Sequence, residues 1–249
     1  QRPVHRKVIF ADPPVLQGIT DDPIKKLPKQ LMPLKAVNII KRVPVIFAAS
    51  STKNDHSQAV KIAAPHIPAS SEVRLLSFPM TKDHAEKEAC WRAHAATIIA
   101  ELAKGRDAAF LTMGDSLTYA TYGYVLKYIL ALAPDAPVVT VPGITAYQAA
   151  AARVNRPLVA GEESLLVLSG VEGGDRLRHL SNCSDNVVFM KAYRNAGDII
   201  DALEETRMLD HSVAVANCSQ PDEEVIEDVR DLKHRKPGYW TLILAKKNP

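Results

Sequence analysis

Between residues 43 and 141, short runs rich in β-branched residues alternate with longer stretches of helical period, and this alternation constrains the fold more than any other feature. The runs are VPVIFA (43–48), VRLLSF (73–78), DAAFLT (107–112) and PVVTV (137–141). Between them the pattern predicts a helix through Ser57–Ala64, a long one over Lys82–Lys104 and a Tyr-rich one from about 117 to 132. Trp91, Ala95, Ile98, Ile99 and Leu102 share one face of the long helix, and Gly105 follows where a C-terminal cap belongs. Strands joined by helices of this length pair in parallel through crossovers. Beyond Pro142 a small-residue helix, TAYQAAAAR (145–153), leads to SLLVLSG (164–170), NVVFM (186–190), a helix over Gly197–Glu205, SVAVAN (212–217) and YWTLILA (239–245). Several of these late strands have no helix between them, which predicts a mixed sheet in a second domain. The expected class is therefore α/β. Within residues 1–33 only KVIFA (7–11) reads as a strand.

The 249 residues suit one large domain or two smaller ones. A net charge of +3, with no tract that interleaves Lys and Arg with aromatics, argues against a nucleic-acid partner. A mildly basic cleft for an acidic small molecule stays open. Cys90, Cys183 and Cys218 are odd in number and form no Cys-x-x-Cys, as expected of free thiols in a reducing cytosol. No apolar stretch approaches the ~18 residues of a membrane helix, and the first residues lack the apolar core of a signal peptide. A soluble, cytoplasmic protein is expected. There is no Gly-x-Gly-x-x-Gly, Walker loop, His-Glu-x-x-His or zinc-type cluster, so no metal is expected.

Two readings compete for Gly114-Asp115-Ser116-Leu117. One is the nucleophile motif of GDSL hydrolases, with Asp231-Leu232-Lys233-His234 as a companion. Against it, Ser116 lies almost halfway along the chain, and a lone Asp-x-x-His in a polar stretch is weak evidence. The other is a ligand turn at the C-terminal end of DAAFLT, where open α/β sheets bind ligands. Pro142-Gly143-Ile144-Thr145-Ala146 would be a second such turn, ending PVVTV. Glycine lets backbone approach a ligand, and the N–H groups that open a helix point outward unpaired. On these residues alone, both could equally be plain left-handed turns.

The wording of four segments is more specific. TMGDSLTYATYGYVLKYI, VPGITAYQAAAAR, VVFMKAYRN and PGYWTLILAKK resemble, in order, segments of the tetrapyrrole (corrin/porphyrin) methyltransferases. Within that family SFPMTKD (77–83) and LKAVNIIKRVPVIFAASSTKN (34–54) resemble the precorrin-2 and cobalt-factor II C-20-methyltransferases of cobalamin biosynthesis. The resemblance spans about residues 34–246. It departs at DDPIKKLPKQLMPLKAV (21–37), which lacks the family's glycine-rich loop.

The resemblance implies two α/β domains, 1–142 and 143–249, with S-adenosyl-L-methionine in the cleft between them. By position, the cofactor contacts would be Met113, Gly114, Asp115, Thr118, Thr145, Ala146, Met190 and Cys218. Asp115 is the candidate general base. The substrate, precorrin-2 or cobalt-precorrin-2, would meet Lys53, Lys82, Lys191 and Arg194 through its carboxylates, and Tyr119, Tyr122 or Tyr124 through its ring. The resemblance also implies a homodimer. The divergent segment keeps a second possibility open, a catalytically impaired paralogue that still binds tetrapyrrole.

Overall fold

The computed structural model describes residues 31–51 and 57–247, with two sheets following one another along the chain. Helix α1 (Leu34–Ile40) precedes strand β1 (Val45–Ser51), helix α2 (Gln58–Ala63), β2 (Glu72–Phe78), α3 (His84–Ala103) and β3 (Ala108–Leu111). The three strands form an all-parallel sheet in the order β2-β1-β3. β1 is central because its side chains are apolar on both faces. Val45 and Phe47 pack with Ala95, Ile98 and Val125 on one side, and Ile46 packs with Ile40, Val43 and Ala63 on the other. Asp83 caps α3 by accepting hydrogen bonds from the backbone of Ala85 and Glu86. Gly105 follows with φ +73, the left-handed end expected of it.

Helix α4 (Tyr122–Leu132) starts five residues later than its periodicity predicts. The Asp115 carboxylate accepts from the Leu117 N–H and the Thr118 hydroxyl, holding those residues in a turn that competes with helix.

The predicted strand PVVTV (137–141) is not one: it joins no sheet. Pro137 and Pro142 lack N–H donors for a ladder. Side chains fasten the segment instead. Ser116 Oγ donates to the Val141 carbonyl (2.9 Å), and the Tyr122 and Thr140 hydroxyls share a hydrogen bond (2.8 Å).

Helix α5 (Ala146–Arg153) opens the second part, followed by β4 (Leu165–Ser169), α6 (Asp175–Leu180), β5 (Asn186–Met190), α7 (Ala196–Glu205), β6 (Ser212–Ala216), β7 (Glu224–Ile226) and β8 (Thr241–Lys246). Their sheet runs β4-β5-β8-β6-β7; β4 and β5 are parallel, and β8 is antiparallel to both its neighbours. This is the mixed sheet the late strands predicted. Alternation along each strand serves two layers: Phe189, Ala214 and Ile243 meet α6 and α7, while Val188, Val215 and Leu244 meet α5. The short helix α6 and the three-residue edge strand β7 carry too little pattern to be read in advance.

Candidate functional site

The loop after β3 and the loop before α5 touch backbone to backbone. Gly114 has φ +65, a conformation that favours glycine. A Cβ on Gly143 would lie 2.2 Å from the Gly114 carbonyl oxygen and 3.0 Å from Asp115 Cα. No side chain fits there.

Asp115 bridges the two loops. One carboxylate oxygen accepts from Leu117 N and Thr118 Oγ1, and the other from Gly143 N, each at 2.9 Å. Partial burial pushes its proton affinity up, but the donors of Gly143, Leu117 and Thr118 outweigh that, and the carboxyl sits below its ordinary range. A carboxylate engaged in this way is a poor general base and a good fastener.

Thr145 is buried and caps α5: its hydroxyl accepts from Gln148 N while Gln148 Oε1 accepts from Thr145 N, a complete capping box. The Thr145 side chain is thereby occupied. The Ala146 N–H lies near Gly114, 3.9 Å from where a Cβ on that glycine would stand. Met113 is 36% exposed at the mouth of the first loop.

Two elements of the mixed sheet contribute further residues. β5 ends at half-buried Met190, and Lys191 follows with φ +59, unusual for a non-glycine residue. Its ammonium lies 5.4 Å from the centroid of the Tyr119 ring, and Tyr119 is itself left-handed at φ 52. Two strained residues in contact at a loop mark a place where function is worth seeking. Burial lowers the Lys191 proton affinity, and no carboxylate pairs with it among the described residues. Cys218 follows β6, bracketed by left-handed Asn217 and Ser219, and burial raises its thiol.

The structure thus joins the Gly114 and Gly143 loops directly and brings Lys191 to Tyr119. Lys82 stands exposed in the loop after β2. The Arg194 guanidinium lies over Tyr193, 5.5 Å from its centroid. Lys53 falls outside the described residues, as do KVIFA and most of the divergent 21–37 segment. Tyr122 is 8% exposed, and its hydroxyl shares a hydrogen bond with that of Thr140. Tyr124 stacks on Trp91 at 4.3 Å. Sequence reasoning treated Gly143 only as part of a turn and missed its contact with Gly114, for which the one available signal was its place after Pro142.

The model of the Tetrapyrrole (Corrin/Porphyrin) Methylases matches residues 29–232. The chain belongs to that family. A cobalt-precorrin-2 C(20)-methyltransferase of Salmonella typhimurium is 29% identical over 87% of this chain and 91% of its own length. A precorrin-2 C(20)-methyltransferase of a Sinorhizobium species is 29% identical over 87% and 89%. Among solved structures, uroporphyrin-III C-methyl transferase from Thermus thermophilus, complexed with S-adenosylhomocysteine, superposes with a TM-score of 0.58 at 21% identity, covering 86% of this chain and 90% of that one. The fold is that of the tetrapyrrole methylases. Membership also bears on Ser116, whose hydroxyl donates to a backbone carbonyl rather than engaging a histidine, among the described residues. Asp231 and His234 sit on the 3-10 turn Val229–Lys233 and just after it. No helix among the described residues is long and apolar enough to cross a membrane.

Proposed function

We propose that this chain transfers a methyl group from S-adenosyl-L-methionine to C-20 of precorrin-2 or cobalt-precorrin-2, a step of cobalamin biosynthesis. The observation that carries the reading is the pair of glycine loops packed on each other, in a chain whose near-full-length relatives bear C(20)-methyltransferase names. The residues fit the cofactor chemically. Gly114 and Gly143 leave the loop surface bare of side chains, and in this reading Met113, Thr118, Ala146, Met190 and Cys218 would supply apolar or small contacts to the cofactor. When bound, the cofactor supplies an electrophilic methyl on sulfur.

What the chain contributes is position and dryness. Asp115 positions the first loop against the second and leaves backbone groups to grip the ligand. Lys191 meets an acidic substrate as a half-buried cation without a counter-ion among the described residues, so an arriving carboxylate gains a charge-assisted hydrogen bond. Lys82, Lys53 and Arg194 extend the same role, and Tyr119 lies under the Lys191 contact. The proposal includes a division at residue 142, supported by the way β1–β3 precede that point and β4–β8 follow it, and a cytoplasmic homodimer.

Calorimetric titration is expected to show one S-adenosylhomocysteine site per chain, with methylated product formed from precorrin-2 or its cobalt form. Binding of the macrocycle without the cofactor would instead favour the impaired paralogue. Ser116→Ala should lose only the Val141 hydrogen bond, about 0.5–1.5 kcal/mol of stability, and keep methyl transfer within about threefold of the unaltered enzyme, roughly 0.65 kcal/mol. An esterase activity abolished by that change would point to the hydrolase.

A further inference from the structure

An open depression of about 600 Å³ lies at one end of the second sheet, between residues 193–197 after β5 and residues 232–237 before β8. Its basic lining comes from Arg194 on one wall and Lys233, His234, Arg235 and Lys236 on the other, and no acidic side chain among the described residues lines it. Two of these side chains are paired with carboxylates outside the lining: Lys233 with Asp201 and Arg235 with Glu224. Arg194, His234 and Lys236 have no acidic partner among the described residues. The open wall at Gly197, where an added Cβ would meet nothing within 4 Å, leaves room beside them.

The depression adjoins the candidate site through covalent and hydrogen-bonded continuity. Lys191 and Arg194 belong to one turn after Met190. Its Ala192 N–H donates to the Thr241 carbonyl (2.9 Å) at the start of β8, so the 232–240 segment and the 191–195 turn share one end of the sheet. Tyr193 and Tyr239 bridge the walls, ring to ring at 5.0 Å. The basic side chains come from both walls, Arg194 from one and His234 and Lys236 from the other. That arrangement suits several singly charged groups spread around a rim better than one dense phosphate.

We infer that the Arg194–His234–Lys236 depression holds peripheral carboxylate arms of the macrocycle, at a distance from the carbon that reacts. The inference rests on the proposed function for the identity of the ligand. It also gives the Asp231-x-x-His234 stretch a task other than a hydrolase's: recognising acid groups of the substrate.

The test uses two porphyrin probes, octacarboxylate uroporphyrin and tetracarboxylate coproporphyrin, titrated by fluorescence on the full chain. S-adenosylhomocysteine calorimetry runs in parallel. In the unaltered protein the octacarboxylate binds more tightly, and the difference shrinks as salt rises. In the double variant His234→Ala/Lys236→Glu its affinity falls at least tenfold and the preference over the tetracarboxylate is lost, while S-adenosylhomocysteine binds within twofold of normal. The milder Lys236→Gln gives a smaller loss in the same direction and serves if the double variant no longer binds S-adenosylhomocysteine. Unchanged octacarboxylate affinity in a variant that still binds S-adenosylhomocysteine overturns the inference, as does an unaltered protein that takes up neither porphyrin. Failure of S-adenosylhomocysteine to bind the unaltered protein overturns the methyltransferase reading, and the porphyrin titrations then judge the depression alone.

Discussion

Replacing Gly143 with valine is expected to weaken S-adenosylhomocysteine binding by about 100-fold or more, the scale on which small misplacements of a site are felt, and to lower the melting temperature. The first atom of any side chain at 143 would come within 2.2 Å of the Gly114 carbonyl oxygen and 3.0 Å of Asp115 Cα. Both are backbone, so nothing flexible can swing aside. Overpacking of this kind costs about 1–3 kcal/mol, or roughly 2–12 °C in a domain of this size. The larger effect falls on the ligand, because the two loops must part to admit the new atoms. Gly123→Ala is the matched control. Gly123 lies within α4 with open space around it, and the change should be neutral or slightly stabilising. Normal ligand affinity in the Gly143 variant would remove the loop contact from the site.

Asp115→Ala should destabilise the protein by about 2–4 kcal/mol, because it strips three donors of a charged acceptor at once. Ligand affinity should fall with stability. A residue acting only as a base would lose turnover while keeping both. Asp115→Asn retains one acceptor oxygen and should fall between. The pH dependence carries its own sign. Folding depresses this carboxyl below its ordinary value, so its contribution is fully present above pH about 4 and fades as acid approaches the folded value. Melting temperatures followed downward from pH 5 should therefore decline more steeply in the unaltered protein than in Asp115→Asn. Parallel declines would show that the carboxylate bonds contribute nothing to the folded state.

How far these features were legible in the sequence depended on whether neighbours or distant residues decided them. The parallel order of the first strands, the mixed second sheet and the long helix ending at Gly105 follow from local pattern, and each is present. PVVTV has a strand's composition, yet the flanking prolines bring no donors, the Val138 N–H turns back to the Ala136 carbonyl, and the hydroxyls of Ser116 and Tyr122 engage Val141 and Thr140. That competition involves residues about twenty positions away. The three tyrosines at 119, 122 and 124 could not be sorted while the start of the helix was unknown, and Asp115 sets that start. Tyr122 then falls inward, Tyr124 onto Trp91 and Tyr119 against Lys191. The glycine loops could be named as a pair from their places after successive strand-like runs, but their direct contact required three dimensions. So did the left-handed turn at Lys191, which nothing in Met-Lys-Ala announces.

The crossover between the sheets is sewn rather than laddered. Ser116, Tyr122 and Asp115 each hold one point of residues 140–143, and each stitch ends at a single atom. A pleated strand can slide by two positions and recover the same pattern of bonds; a seam of unlike side chains has no such second setting. The placement of Gly143 over Gly114 is thereby indexed by three chemically different fasteners, and Val139, facing water just before them, is left free to vary.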